Sequence, residues 1–169
     1  KFGAKVILDF RDPFAHNPRF VYNDKHKDLV VELESQYLAH SDYILSVNKY
    51  CLDSIGIGDE KNGLVVANGY DESISDTVKP IPLRTKDKRT TFVYTGSFYA
   101  DRKPDLFLDG MDAKTHNLIH IGRTAATDSN LDQYSALERY GLMTYEEVIG
   151  YCRSMHAGII FTSGAAFEQ

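Results

Sequence analysis

Short apolar runs, each closed by turn-forming residues, recur along this chain with helix-patterned segments between them, and that alternation restricts the fold more than any other feature. The runs are Val6-Ile7-Leu8, Tyr43 to Val47, Leu64 to Ala67, Thr91 to Thr95, Leu118 to Ile121 and Gly158 to Phe161. Each has the length of a strand buried on both faces. Strands that alternate with helices need crossover connections, so the pattern predicts an α/β fold with mainly parallel sheets.

The helices follow from periodicity and caps. Thr144 to Met155 opens on a capping box, Thr144 with Glu147, and places Val148, Tyr151, Cys152 and Met155 on one face. A second helix is expected from about Asp28 to His40, with Leu29, Leu33 and Tyr37 inward, joined by Val30 and Leu38, and with Glu32, Glu34 and Gln36 outward. A third starts at Pro104, which suits a first turn because its missing N–H has no helical partner there. Asp71 to Thr90 holds Pro80 and Pro82 and no sustained period, so it reads as a connector. The expected division is residues 1–78, a linker at 79–90, and residues 91–169. The chain opens almost directly on one strand and closes just after another, so both sheets are expected to be truncated.

Composition narrows the class. With 169 residues, 43% of them hydrophobic, the chain can bury a sizeable core. A net charge of -5 has the wrong sign for broad neutralisation of phosphate backbones, so no nucleic acid is expected as a partner. The basic stretch Arg84, Lys86, Lys88 and Arg89 reads as a solvated linker. Cys51 and Cys152 lie far apart and form no C-x-x-C, which favours a reducing cytoplasm. No run approaches the about 18 apolar residues of a membrane-spanning helix, so membrane association is expected to be at most peripheral, at the inner face of the cell membrane.

Four segments that follow strands carry candidate chemistry, because ligand-facing residues in open α/β sheets gather beyond the carboxyl ends of strands. Asp9-Phe10-Arg11-Asp12-Pro13 is either cleft chemistry or an Arg–Asp ion pair that orders a loop. Asn68-Gly69 reads as a turn that leads the chain out of the first domain, tolerant of positive φ. Gly96 to Lys103, ahead of the helix at Pro104, is a plausible phosphate seat, since a glycine lets an anion approach the backbone and Arg102 and Lys103 are cationic. Thr162-Ser163-Gly164 to Glu168 combines small residues with a carboxylate able to bond sugar hydroxyls, or is a plain loop. No H-E-x-x-H, G-x-S-x-G or D-x-D occurs in the chain, and His116 and His120 flank or occupy a strand, so no zinc site, no serine nucleophile and no metal or other cofactor is expected.

The order of these motifs resembles the family 4 (group 1) glycosyltransferases of bacterial surface-polysaccharide assembly, across nearly all of the chain. Asp9 to Pro13 looks like the family's D-x-R-D loop, and Glu34 to Ala39 with Asp42 and Ile44 to Val47 its acidic helix and following strand. Val66 to Asp71 is similar to its "viyNGvD" segment, Thr91 to Lys103 to its first donor-domain strand and phosphate loop, and Leu118 to Gly122 to its "l-ivG". Tyr140-Gly141-Leu142 through Cys152 resembles the nucleobase loop and its helix, and Phe161 to Glu168 the start of E-x(7)-E.

The resemblance implies two partial Rossmann-like domains of the GT-B architecture, the first on the acceptor side and the second binding the donor. It implies transfer of a sugar from a nucleotide diphosphate sugar to a glycan or lipid-linked acceptor, without a divalent metal. Arg102 takes the place of the lysine on the donor diphosphate, with Lys103 beside it, while Ser97 stands where the family usually has arginine. Glu168 takes the first acidic position, facing the donor sugar, so Arg102 and Glu168 are the implied catalytic pair. Gly96, Ser97, Gly122, Tyr140, Gly141, Leu142 and Ser163 complete the donor side, and Asp9, Arg11, Asp12, Asn68 and Gly69 the acceptor side. A noncatalytic nucleotide- or sugar-binding module, a relative such as a nucleotide-sugar epimerase, and a single-sheet flavodoxin-like regulator are the alternatives.

Overall fold

The computed structural model describes residues 3–17, 20, 22–58, 62–82, 88–99, 102–124 and 130–162. The chain divides into two compact units, one within Lys1–Gly69 and one formed by Tyr70–Thr162. Each has its own parallel sheet, as the alternation requires, and Tyr43–Ser46 and His116–Ile121 belong to different sheets.

In the first unit the order is β1 (Ile7–Phe10), α1 (Asp24–His40), β2 (Tyr43–Ser46), α2 (Lys49–Ser54) and β3 (Gly63–Val65). The sheet order is β1-β2-β3, with Leu8 beside Ile44 and Leu45 beside Leu64. Ile44, Leu52, Ile55 and Ile57 form its core, with Phe10 and Leu38 against them. Asn48 caps α2 through a bond from the Cys51 amide, and Asn23 caps α1 through one from the His26 amide.

The face of α1 differs from the periodic expectation. Glu34, placed outward by the pattern, is 4% exposed, whereas Leu29 and Tyr37, placed inward, are 53% and 56% exposed. The reason is chemical. The Glu34 carboxylate accepts hydrogen bonds from the successive amides of Phe14 (3.1 Å) and Ala15 (2.9 Å), so a charge takes the central position of the helix face to satisfy a buried loop.

In the second unit the order is α3 (Glu72–Thr77), β4 (Thr90–Thr95), α4 (Asp105–Asp109), β5 (His116–Ile121), a 3-10 turn at Leu131–Gln133, β6 (Leu137–Arg139), α5 (Tyr145–Cys152) and β7 (Ala157–Gly158). All ladders of the sheet β6-β5-β4-β7 are parallel. Alternation along β4 and β5 supplies two faces. Tyr94 and Leu118 pack with Phe98, Leu108 and Leu131 on one side, and Val93, Ile119 and Ile121 pack with Tyr151 of α5 on the other. The capping box of α5 is complete, with Thr144 and Glu147 each accepting from the other's amide.

Part of the expected connector is structured. Asp71 caps α3, accepting from the Ser73 and Ile74 amides and the Ser73 hydroxyl, and these bonds hold its carboxyl below the usual range. Ile81 donates its amide to the Gly150 carbonyl at 2.9 Å and packs where a Cβ on Gly150 would stand. Arg89, expected as a solvated linker residue, instead turns inward, donating to the Ala113 carbonyl and lying 3.8 Å from the Glu138 carboxylate. Among the described residues no helix is long and apolar enough to cross a membrane.

Candidate functional site

The carboxyl ends of β1 to β3 carry the first set of candidate residues. Parallel strands deliver successive loops to the same sheet edge, so Asp9 to Asp12 and Asn68 arrive together although far apart in sequence. The Arg11 guanidinium donates through Nη1 to Asn68 Oδ1 and lies 3.5 Å, through Nε, from Asp9 Oδ2. The open choice between ion pair and cleft chemistry thus gains a third member, an amide. The Asn68-Gly69 turn expected from sequence is absent. Neither residue has positive φ, and the segment leaves β3 in irregular, exposed backbone.

The floor under this loop is tightly bonded. Ser46 Oγ donates to the Phe10 carbonyl at 2.6 Å, and the buried Cys51 thiol lies 3.8 Å from the Phe10 and Arg11 carbonyls. Burial pushes the Cys51 thiol up, and the Asp12 and Glu34 charges add to this, so it is a poor source of thiolate. Asp9 and Arg11 are exposed above this floor, as are Asp12, Asn68 and Gly69.

The second set lies at the carboxyl edge of the other sheet. The loops after β4 and β5 run together. Gly96 N donates to the Ile121 carbonyl (2.9 Å), Phe98 N to the Arg123 carbonyl (3.0 Å), and Phe98 bridges to Thr124. Gly122, with φ of 150°, comes so close to Gly96 that a Cβ would overlap the Gly96 carbonyl. No other residue type fits this contact without moving the loop. Tyr94 donates its hydroxyl to the Ser97 carbonyl at 3.0 Å, and the His120 ring donates from Nε2 to the Gly96 carbonyl at 2.8 Å.

Tyr140 continues this edge, its amide donating to the His120 carbonyl at 2.9 Å. Its hydroxyl donates to Glu138 (3.0 Å) and its ring stacks on Tyr151. Gly141 takes a φ of 52° in the irregular segment between β6 and α5, and Leu142 after it is exposed. Gly96, Ser97, Gly122, Tyr140, Gly141 and Leu142 therefore follow three adjacent strands at one edge. Arg102 is half-buried, its amide donating to the Tyr99 carbonyl (3.0 Å), and Lys103 is exposed ahead of Pro104. The helix after them, α4, has only five residues and no side-chain cap, so its dipole is small and an anion at this edge depends on the loop and its cations. Ser163 and Glu168 lie outside the described residues.

Two contributors to these edges, Glu34 and His120, lie within motifs, Glu34 to Ala39 and Leu118 to Gly122, that give them no role of their own. For His120 the available signal is a histidine inside the apolar run Leu118 to Ile121, since a buried polar side chain needs a partner. For Glu34 the periodicity does not separate it from Glu32, and only the resemblance, whose acidic helix begins at Glu34, does.

No protein-family model matches the chain, and no curated protein does. Solved structures do match. The Anabaena protein HepE, crystallised in complex with UDP, superposes with a TM-score of 0.65 at 12% identity, over 91% of this chain and 46% of its own. TarM superposes with a TM-score of 0.51 at 10% identity, over 88% of this chain and 30% of its own. The chain thus spans less than half the length of either. Its fold is α/β with two parallel sheets, the GT-B architecture that it shares with these solved structures.

Proposed function

We propose that this chain belongs to a glycosyltransferase that moves a sugar from a nucleotide diphosphate sugar to a glycan or lipid-linked acceptor. The observation that carries the reading is the edge of the second sheet. There Gly96, Ser97, Gly122 and Tyr140 to Leu142 converge beyond three adjacent strands, on a fold shared with a UDP-bound structure. Loops at such an edge are where nucleotides bind in open α/β sheets.

In the reaction the bond between the anomeric carbon and the diphosphate oxygen breaks, a bond from that carbon to the acceptor oxygen forms, and the acceptor hydroxyl gives up its proton. Negative charge grows on the departing diphosphate. Arg102, with Lys103 beside it, stabilises that charge, and a fixed guanidinium is suited to it because it carries its charge at any working pH and bonds two oxygens at once. Glu168 and Ser163 hold the donor sugar, and the Tyr140 to Leu142 segment receives the base. Asp9, Arg11, Asp12, Asn68 and Gly69 face the acceptor, a set of carboxylate, guanidinium and amide groups that suits hydroxyl-rich molecules. With cationic side chains at the diphosphate and no D-x-D in the chain, the transfer runs without a divalent metal.

The test is calorimetric titration of the protein with UDP, ADP, GDP and TDP, followed by transfer assays with the matching labelled nucleotide sugars. Saturable binding of one diphosphate and release of that diphosphate upon transfer are expected. Ser97 at the usual arginine position favours one alternative, a binding module without turnover, which would show the first result without the second.

A further inference from the structure

His120 is the one buried histidine among the described residues, at 0% exposure near the carboxyl end of β5, and the proposed chemistry gives it no role. Its ring lies against Phe98, with centroids 4.0 Å apart, and stacks on Tyr94 at 5.7 Å. The Gly96 carbonyl 2.8 Å from Nε2 can only accept, so Nε2 bears the proton. In the neutral ring Nδ1 then carries a lone pair, and Nδ1 is buried with no hydrogen-bond partner. The cost of burying an unpaired nitrogen is tolerated when the other nitrogen does something the fold needs.

Gly96 shows what that is. Glycine has the widest choice of backbone angles, and Gly96 sits at a φ of 155°, at the hinge between β4 and the loop. Its amide is bonded to the Ile121 carbonyl and its carbonyl to His120, so neither adjoining peptide plane is able to turn. Gly122 then packs against that carbonyl with no room for a side chain. We propose that His120 is a positioning residue for the nucleotide loop: through Nε2–H it locks the Gly96 carbonyl and so fixes the Gly96–Ser97 backbone in the form that receives the donor diphosphate. This rests on the nucleotide-sugar reading of the same edge.

Burial of the ring, the largest influence on it, opposes a second proton and lowers the pKa of His120. Tyr94 on β4 offers its aromatic face, and Arg139 on β6 contributes a positive charge that opposes a second proton. The bond to the Gly96 carbonyl acts in the opposite direction, raising it without reversing the effect of burial. Histidine is the side chain that combines a flat ring able to stack in this aromatic bed with an N–H at its tip. Phenylalanine would keep the first property and lose the second, and glutamine would keep an N–H without the ring.

The experiment compares wild type, His120→Phe and His120→Gln by nucleotide titration and by NMR. In wild type the ring 15N shifts should show Nε2 protonated and Nδ1 bare. In His120→Phe the Gly96 carbonyl 13C shift should move, and the dissociation constant for the best-bound nucleoside diphosphate should rise about three- to tenfold, the worth of one lost hydrogen bond. His120→Gln should recover part of both, and in transfer assays the loss should fall on donor KM more than on kcat. A wild-type ring protonated on Nδ1, or His120→Phe with unchanged nucleotide affinity, would overturn the proposal. Absence of nucleotide binding in wild type would overturn the nucleotide reading itself, and the positioning role with it. If His120→Phe does not fold, equal affinity in His120→Gln and wild type despite a displaced Gly96 carbonyl shift would overturn the positioning role in the same way.

Discussion

Arg11 and Asn68, separated by 57 positions in sequence, are joined by a hydrogen bond from the guanidinium to the side-chain amide at one edge of the first sheet. Arg11 also neighbours Asp9 at 3.5 Å, so one cation organises residues from two loops. Both side chains of that ion pair are more than half exposed, and the coupling should therefore be modest. A double-mutant cycle of Arg11→Ala and Asn68→Ala in urea is expected to give about 0.2–1 kcal/mol of interaction. Strict additivity would mean that the pair does not hold in solution.

Glu34 should matter far more to stability. Its carboxylate is the acceptor for two successive amides, Phe14's part-buried and Ala15's buried, so Glu34→Ala leaves both donors unmatched and should destabilise by about 1–3 kcal/mol. Hydrogen exchange at Phe14 and Ala15 should accelerate more than elsewhere in the first unit. Glu34→Gln keeps one acceptor oxygen and should lose less. A Glu34→Ala variant as stable as wild type would return the residue to the solvent side of α1.

Glycine positions offer an internal comparison. Gly122→Ala meets the Gly96 backbone and also places alanine at a φ of 150°, so it should destabilise by about 2 kcal/mol or more. Gly141→Ala places alanine at 52° with open space around it and should lose only about 1 kcal/mol. Thermal melts of the two variants provide the check, and equal losses would contradict the close approach of Gly96 and Gly122.

Acid should weaken the fold through His120. Burial lowers its folded pKa below the ordinary 6.5, so the unfolded chain binds more protons in the interval between the two values. Stability from this group is present above about pH 6.5 and falls as pH drops through that interval, becoming constant again below the folded pKa. Urea midpoints measured from pH 7.5 downward should therefore decline in wild type, with a smaller decline in His120→Phe. Parallel curves would exclude His120 as a source of the acid sensitivity.

Sequence alone locates β4 and β5 well, because strands buried on both faces are written as unbroken apolar runs such as Phe92-Val93-Tyr94. It locates α5 through the Thr144–Glu147 box for a similarly local reason. The six-residue helices α2 and α3 and the three-residue β6 are not legible, since one or two turns carry no measurable period. The inward turns of Glu34 and Arg89 are hidden because their partners are the Phe14 and Ala15 amides and Glu138, groups that only tertiary folding brings near. At the candidate sites the positions of Gly96, Gly122 and Arg11 are legible as residues after strands. The Gly96–Gly122 contact, the Gly96–His120 bond and the Arg11–Asn68 bond are not, because each joins segments that the sequence keeps apart.

The most direct measurement of the central claim is transfer by the full-length gene product, wild type against Arg102→Ala, with labelled nucleotide sugars and lipid-linked acceptors. Loss of a charge-assisted bond to the leaving diphosphate, about 1.5–3 kcal/mol, should lower kcat/KM about ten- to a hundredfold while the melting temperature stays near wild type. Arg102→Lys should retain part of the rate, since the charge survives without the planar fork. No release of nucleoside diphosphate by wild type, or an Arg102→Ala variant with unchanged kcat/KM, would contradict the assignment of this edge to the donor.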